Sequence, residues 1–300
     1  MKKILVVCGA TASGKTGFAV QMAKLLNSEV ISADCMLVYK GLNIGTAKPD
    51  KAEMCGIPHH MIDVVSAGSC FSVSDYESLA RPLCERLLKE EKVPVICGGT
   101  GFYIQSLLFS RSLGSVGSSP AVRSKYERLA EKEGNESLFQ RLKDIDPLSA
   151  EKLHPNDVKR VVRALEIYEL TGKRKSEQND GFEARFPYVA VAFDYPREEL
   201  YRRIDLRAEK MLADGLVSEV RDLLEKGIRC DSQSMQGIGY KEVVQYLKNK
   251  ISYNTMRDII KQNTRNYAKR QITFFKKFPG IVWMDPAARN NADKIMEMLA

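Results

Sequence analysis

The chain has 300 residues, long enough for two domains of ordinary size or for one domain that carries a large insertion. A hydrophobic content of 44% and a charged content of 28% exclude disordered, collagen-like and coiled-coil proteins. The formal net charge of +8 favours a polyanionic partner, although many basic proteins bind no nucleic acid.

The first third of the chain alternates between strand and helix patterns. Short apolar runs predict three strands, at residues 4–8, 29–33 and 93–97. Helical spacing predicts two helices between them, at residues 18–26 and 75–89. Strands that alternate with helices predict a parallel sheet with helices on both faces.

The N-terminus and the cysteines predict a cytoplasmic chain without a membrane segment. The apolar run at residues 4–8 stops at Gly9, and Lys15 follows before any plausible cleavage site, so we expect no signal peptide. The seven cysteines are an odd number without a C-x-x-C pair, which is typical of a reducing compartment. No apolar run reaches the roughly 18 residues that a membrane helix needs.

The pattern changes near Ser110. A serine- and glycine-rich stretch at residues 110–119 predicts a linker. The segments after it show only helical spacing, at residues 121–133, 136–144, 148–153 and 158–171. We therefore predict an all-helical insertion domain at residues 111–182.

The remainder of the chain returns to a mixed pattern. An apolar run at residues 188–193 predicts a strand, and long helices follow over residues 197–277. A short strand at residues 281–284 and a terminal helix complete the chain. We predict one α/β core formed by residues 1–110 and 183–300, and nothing in the pattern indicates a dimerisation coiled coil, so we expect a monomer.

Residues 9–16 match the phosphate-binding pattern G-x-x-x-x-G-K-[ST] between a predicted strand and a predicted helix. In such a loop the backbone N–H groups and the helix N-terminus surround a phosphate or pyrophosphate. Lys15 adds a full positive charge, and the Thr16 hydroxyl is suited to hold Mg²⁺, the expected cofactor. The fold class predicted is therefore a P-loop NTPase-like parallel sheet interrupted by the helical insertion.

The strand ends indicate which phosphate chemistry follows. Asp34 comes directly after the strand at residues 29–33, at the edge where open α/β sheets bind ligands, although an aspartate there is also a common turn cap. The strand at residues 93–97 runs into Gly98-Gly99-Thr100-Gly101 and lacks the aspartate that helps to hold Mg²⁺ in most P-loop phosphoryl-transfer enzymes. This pattern disfavours an ordinary ATPase.

Seven segments besides the phosphate loop carry a recognisable pattern over nearly the whole chain. They are residues 34–41 (DCMLVYKG), 45–49 (GTAKP), 58–63 (PHHMID), 98–103 (GGTGFY), 156–166 with Asn156-Asp157, Arg160 and Arg163-Ala164-Leu165-Glu166, 237–242 (GIGYKE) and 267–271 (YAKRQ). Together with the loop and in this order, they resemble the tRNA dimethylallyltransferase family. The family usually has Ser-Met-Gln where this chain has Cys35-Met36-Leu37, and leucine cannot hydrogen-bond a base edge.

The resemblance implies transfer of a dimethylallyl group from dimethylallyl diphosphate to the exocyclic N6 amine of the adenosine 3′-adjacent to the anticodon in tRNA. It implies that Asp34 is the general base and that Thr100 lies near the reacting amine, with Lys15 stabilising charge on the departing pyrophosphate. The residues implied to bind the diphosphate are Gly9, Ala10, Thr11, Ala12, Ser13, Gly14, Lys15, Thr16 and Arg207.

The target adenine must leave its stack to reach a buried site, so the resemblance also implies base flipping. The helical insertion is expected to grip the anticodon stem-loop, and a run of cations four residues apart predicts a basic stripe near the C-terminus. The residues predicted to bind tRNA are Asp34, Cys35, Met36, Leu37, Thr100, Arg123, Lys159, Arg160, Val161, Val162, Arg163, Lys261, Arg265 and Lys269.

Three other functions remain open from the residues. Prenylation of a free adenine nucleotide would not need the basic insertion or the basic stripe. A P-loop small-molecule kinase would need ATP turnover, and the absent strand-end aspartate counts against it. An RNA-binding protein without catalysis would leave Lys15, Thr16 and Asp34 without a purpose.

Overall fold

A computed structural model describes residues 2–110, 117–178 and 181–300 of the chain. Its contacts divide it into two units: Met1–Phe109 with Ala184–Ala300, and Ser110–Glu183. The insertion was predicted at residues 111–182. Most of the predicted linker, residues 111–116, lies outside the described residues.

The larger unit is built on one parallel sheet. Within the described residues its six strands are β1 (Ile4–Cys8), β2 (Val30–Ser32), β3 (His59–His60), β4 (Val95–Gly98), β5 (Tyr188–Phe193) and β6 (Ile281–Met284). Their order is β3-β2-β4-β1-β5-β6, and every neighbouring pair is parallel. The predicted parallel sheet is therefore confirmed. Strand β3 was not predicted, because two histidines form no apolar run.

The described residues contain twelve α-helices, and eight of them belong to the larger unit. They are α1 (Lys15–Leu25), α2 (Val73–Lys89), α3 (Gly101–Leu108), α4 (Pro120–Glu133), α5 (Asn135–Ile145), α6 (Pro147–Ala150), α7 (Val158–Thr171), α8 (Arg197–Ala213), α9 (Leu216–Glu225), α10 (Tyr240–Leu247), α11 (Tyr253–Phe275) and α12 (Asn291–Leu299). Helices α4 to α7 form the smaller unit.

Alternate residues of the central strand β1 face two separate hydrophobic clusters. Leu5 and Val7 pack with α1 and α12, whereas Ile4 and Val6 pack with residues of α2, α3, α8 and α11. Such alternation follows from the two-residue period of a strand. Helices therefore cover both faces of the sheet, as predicted, and the carboxyl ends of β1, β2 and β4 meet at one edge.

The smaller unit has its own core. Leu138, Leu142 and Leu165 are completely buried in a cluster that spans α4, α5 and α7. Gly172 has a φ of 69° and ends α7, where the sequence predicts the stop. A buried carboxylate, Glu166, accepts hydrogen bonds from the Arg123 and Arg163 side chains.

No helix in the described part of the chain is long and apolar enough to cross a membrane.

Candidate active site

The phosphate loop joins β1 to α1 at the carboxyl edge of the sheet. Gly9, Ala12 and Gly14 have positive φ angles of 122°, 62° and 80°. Backbone that alternates between right- and left-handed conformations turns successive N–H groups towards one point, which makes a concave site for an anion. Ala12 adopts this conformation without the freedom of glycine, so the surrounding contacts must hold it there.

Two cationic side chains fasten this loop to its surroundings. The Lys15 ammonium donates a hydrogen bond to the Ala10 carbonyl (3.1 Å), and the Arg203 guanidinium donates one to the Ala12 carbonyl (2.8 Å). Burial lowers the pKa of Lys15, because the charged ammonium has lost most of its water. Neither cation is neutralised by a carboxylate within ion-pair distance in the described residues, so both charges remain available to a bound phosphate.

Gln271 of α11 connects the phosphate loop to the loop after β4. Its Oε1 accepts the Thr11 N–H (2.8 Å), and its Nε2 donates to the Gly99 carbonyl (2.9 Å). A Cβ on Gly99 would stand 2.1 Å from that Nε2, so only glycine allows this approach. The segment 267–271 was noted in the sequence, but no role for Gln271 was predicted, since only the fold reveals its partners.

Asp34 and Thr100 come together at the ends of β2 and β4. The Thr100 hydroxyl accepts the Cys35 N–H (2.9 Å), and the Thr100 N–H donates to the Ala33 carbonyl (3.0 Å). The Asp34 Oδ1 accepts the Met36 N–H (2.9 Å), which fixes the carboxylate at the start of a turn. In the described residues Asp34 Oδ2 has no hydrogen-bond partner, so one carboxylate oxygen is free to take a proton.

A small cavity of about 70 Å³ extends from the phosphate loop along this edge of the sheet. Its lining includes Lys15, Thr16, Asp34 and Arg207, which were all predicted from the sequence as site residues. Leu37 also lines it. The fold therefore gathers charged residues from three separate parts of the chain around one space.

Arg207 of α8 faces both this cavity and a larger neighbouring one. Its guanidinium donates to the Thr46 carbonyl (3.2 Å). Burial lowers the pKa of Arg207, although the nearby Asp34 carboxylate acts in the opposite direction. Within the described residues this guanidinium has no carboxylate partner, and its planar donor geometry is well matched to phosphate oxygens.

The larger cavity has a volume of about 410 Å³ and mainly apolar walls. Ile204, Met211 and Ile260 supply part of these walls, and Cys35 and Met36 line it too. Such a volume falls within the roughly 300–1,000 Å³ typical of small-molecule sites. Asp34 lines both cavities, and so do Thr11, Thr46, Arg207 and Tyr267.

One side of the larger cavity is held by a carboxylate that the sequence analysis did not identify. Glu219 of α9 accepts the N–H groups of Asn43 and Ile44 (2.9 and 2.7 Å) and the Tyr240 hydroxyl (2.7 Å). A Cβ on Gly45 would lie 2.5 Å from the Tyr240 ring. This contact explains why a glycine opens the segment at residues 45–49.

Comparison with known proteins supplies the family. A family model described as IPP transferase matches residues 37–278. A tRNA dimethylallyltransferase of Acetivibrio thermocellus is 42% identical over 302 residues, covering 100% of this chain and 96% of the relative. The chain belongs to the tRNA dimethylallyltransferase family.

Solved structures agree with this membership of the tRNA dimethylallyltransferase family. The full-length tRNA isopentenylpyrophosphate transferase of Bacillus halodurans is 38% identical with a TM-score of 0.73, and the match covers 99% of this chain and 94% of that one. A eukaryotic dimethylallyltransferase acting on tRNA is 30% identical with a TM-score of 0.83, covering 99% and 78% of the two chains.

Mg²⁺, the cofactor expected from the sequence, is compatible with the residues that this chain presents. Thr16 is exposed at the first turn of α1, beside the phosphate loop. Among the described residues no group of three or more histidines, cysteines, aspartates or glutamates forms a cage for a metal ion. Mg²⁺ does not need such a cage, because it usually binds one or two protein oxygens together with phosphate oxygens and waters.

The basic stripe of α11 turns out to be largely paired in this member of the tRNA dimethylallyltransferase family. Lys261 donates to Glu209 (2.5 Å), and Arg265 forms two hydrogen bonds with Asp205 (2.9 and 2.5 Å). Lys269 is exposed and has no ion pair in the described residues. Binding of tRNA by these three residues stays a prediction.

The predicted tRNA-binding residues of α7 separate into two groups. Lys159 is exposed, and the side chain of Arg160 is 71% exposed while it pairs with Asp157. Val161 and Val162, by contrast, are 0% and 2% exposed in the core of the helical unit. The side chains of these two valines lie on the apolar face of the helix and pack in the core, so contact of these residues with tRNA would have to use the backbone and stays a prediction.

Two other predicted contacts of the helical unit are already engaged with a carboxylate. Arg123 and Arg163 both bind the buried Glu166, at 3.0 and 2.7 Å. Burial acts to raise the pKa of Glu166, but hydrogen bonds from Arg163, the Ser119 N–H and Arg123 hold that pKa below its ordinary value. These arginines therefore stabilise the fold of the unit, and contact with tRNA stays a prediction.

Proposed function

We propose that this chain transfers the dimethylallyl group of dimethylallyl diphosphate to the exocyclic N6 amine of the adenosine 3′-adjacent to the anticodon in tRNA. Membership of the tRNA dimethylallyltransferase family makes it a prenyltransferase that acts on tRNA. The observation that carries the assignment of roles is the position of Asp34 in the lining of both cavities, with Lys15 and the phosphate loop in the small one and mainly apolar walls in the larger one.

The diphosphate would occupy the small cavity. The loop N–H groups, Lys15 and Arg207 supply positive charge there, and Mg²⁺ held at Thr16 would supply more. As the allylic C–O bond breaks, negative charge grows on the departing pyrophosphate, and fixed cations in a site with little water stabilise it strongly. The absence of γ-phosphate chemistry explains why β4 ends without an aspartate.

The flipped adenine and the allylic carbon would meet beside Asp34. The N6 nitrogen forms the new C–N bond, and one of its protons passes to Asp34 Oδ2, the carboxylate oxygen without a partner. Thr100, whose hydroxyl accepts the Cys35 N–H and also contacts the Tyr267 hydroxyl, would lie near the reacting amine. Prenylated tRNA and pyrophosphate are then the products, so atoms and charges balance.

Replacement of Asp34 by asparagine tests the proposal. Asparagine keeps an oxygen for the Met36 N–H but cannot accept the proton, so we expect turnover to fall by about 10²–10⁴-fold while pyrophosphate binding is retained. The assay is transfer of labelled dimethylallyl diphosphate to an anticodon stem-loop, with AMP in parallel. Asp222→Asn, on the exposed surface of α9, is the matched control.

Label on the stem-loop alone would support the proposal. Label on AMP would replace the tRNA substrate with a free nucleotide, and ATP hydrolysis without label would indicate a kinase. Normal turnover of Asp34→Asn would remove Asp34 as the base.

A further inference from the structure

Two buried polar atoms line the small cavity without any hydrogen-bond partner in the described residues. They are Ser32 Oγ at the end of β2 and His59 Nε2 in the edge strand β3. Ser32 is 3% exposed. Buried polar atoms are almost always paired in folded proteins, so each unpaired one needs an explanation.

The strand register puts both atoms on the same side of the sheet as the start of α1. His59 lies opposite Val30, and Ser32 follows Val30 by two residues, so their side chains share a face. Ser32 in turn lies opposite Cys97, whose thiol contacts the Lys15 carbonyl (3.7 Å). A continuous row of residues therefore leads from His59 to the phosphate loop.

The tautomer of His59 determines what it can bind. Its Nδ1 lies 2.8 Å from the Ile57 carbonyl, which can only accept, so Nδ1 carries the proton and Nε2 presents a lone pair. Burial lowers the pKa of His59, which favours this neutral form. His59 Nε2 therefore requires a hydrogen-bond donor from the cavity.

Neither part of dimethylallyl diphosphate offers such a donor. Its phosphate oxygens accept hydrogen bonds, and its hydrocarbon chain forms none. A water molecule bound to Mg²⁺ is a strong donor, and Mg²⁺ usually keeps several waters when it binds phosphates. The cavity's volume of about 70 Å³ exceeds several times the roughly 15 Å³ that one water needs.

We propose that Ser32 and His59 position Mg²⁺ by accepting hydrogen bonds from water molecules of its coordination shell. This inference rests on the proposed function, in which Mg²⁺ accompanies the diphosphate. The pair would take the place of the strand-end aspartate that holds Mg²⁺ and its waters in P-loop phosphoryl-transfer enzymes. The two residues are positioning residues, because they act on the metal through its waters and touch neither substrate.

The test measures binding of pyrophosphate by isothermal titration calorimetry at increasing Mg²⁺ concentrations. Loss of an outer-shell partner typically weakens metal binding by about 10–100-fold, so we expect Ser32→Ala and His59→Phe each to raise the half-saturating Mg²⁺ concentration by at least about 10-fold. Pyrophosphate binding in EDTA is expected to stay at the wild-type level. His59→Gln retains an acceptor oxygen and is expected to recover most of the loss.

The chain offers a matched control for each variant. Ser28 also has a buried hydroxyl without a partner in the part of the chain that the structure describes, but it does not line the cavity. His60, the neighbour of His59, binds Glu29 through its Nε2 (2.6 Å). We expect Ser28→Ala and His60→Phe to leave the Mg²⁺ dependence unchanged, with thermal melting curves used to confirm that every variant is folded.

An unchanged Mg²⁺ dependence in Ser32→Ala and His59→Phe would overturn the inference. A fall in pyrophosphate affinity in EDTA would also overturn it, because it would indicate direct contact with the anion. The prenyl-transfer assay separates this inference from the proposed function: a shifted Mg²⁺ dependence without transfer to tRNA would reject only the function.

Discussion

The cations around the phosphate loop differ from those along α11 in the groups that bind them. Lys15 and Arg207 donate hydrogen bonds to backbone carbonyls, and neither has a carboxylate within ion-pair distance in the described residues. Lys261 and Arg265 of α11 donate to carboxylates of α8. The first pair is partly stripped of water and has no carboxylate partner in the described residues, whereas each member of the second pair has one.

This difference shows that the net charge of the chain does not measure its affinity for phosphate. A cation that binds only carbonyls gains strongly when an anion arrives, as the lowered pKa values of Lys15 and Arg207 indicate. A cation in an exposed ion pair must give up its partner before it can bind a phosphate, and it releases fewer counterions when it does. The charge of Lys15 and Arg207 is therefore more readily available to a phosphate than the charge of Lys261 and Arg265.

Removal of the Lys15 charge is expected to have the largest effect. We expect Lys15→Met to lower the turnover of prenyl transfer by about 10²–10³-fold, because this ammonium stabilises charge that grows on the pyrophosphate. Lys24→Met, on the exposed last turn of the same helix, is the control and should retain full turnover. Equal losses of turnover in Lys15→Met and Lys24→Met would mean that the location of Lys15 beside the phosphate loop does not matter.

Arg207 gives the next largest effect. A hydrogen bond to a charged group contributes about 1.5–3 kcal/mol, so we expect Arg207→Met to raise the KM for dimethylallyl diphosphate by roughly 10–100-fold. Arg202→Met, on the same helix, removes a cation that is paired with Glu199 and should leave that KM unchanged. Steady-state kinetics at saturating stem-loop RNA measures both. Similar KM values for Arg207→Met and Arg202→Met would contradict the distinction between cations that bind backbone carbonyls and cations that bind carboxylates.

The sequence predicted those parts of the site that depend on local pattern. The phosphate loop, Asp34 after β2 and Thr100 after β4 each belong to a strand-to-loop signal, and the parallel sheet brings such strand ends to one edge. Gln271 and Glu219 had no such signal, because their partners are as far as 260 residues away in the chain. A contact of that kind arises only when the helices pack.

The same limit explains which contacts of the two basic helices could not be predicted. The cations that stand four residues apart on α11 predict a basic stripe. Two of them nevertheless form ion pairs with Asp205 and Glu209, which stand four residues apart on α8. On α7 the valines at residues 161 and 162 were grouped with the cations that flank them, although the helical period turns them inwards. Charge is visible in a sequence, but its pairing depends on tertiary structure.

The salt dependence of tRNA binding is the smallest effect and the most direct test of pairing on α11. Lys269 is exposed near the Tyr201 ring, 6.0 Å from its centroid, and has no carboxylate partner in the described residues. We expect Lys269→Met to reduce the slope of log K against log salt by about 1, the value for one phosphate contact. We expect Arg265→Met to change that slope by much less, since Asp205 already neutralises the guanidinium.

The double variant Arg265→Met with Asp205→Asn completes this comparison, because it removes the ion pair without leaving an unpaired carboxylate near the RNA. Binding of the anticodon stem-loop, measured by fluorescence anisotropy over a range of salt concentrations, should give the double variant a slope close to wild type. If instead Arg265→Met lowers the slope as much as Lys269→Met does, Arg265 leaves Asp205 when RNA binds. The ion pairs between α8 and α11 would then be a reserve of positive charge that tRNA releases, and the contrast with the phosphate loop would hold only for the free protein.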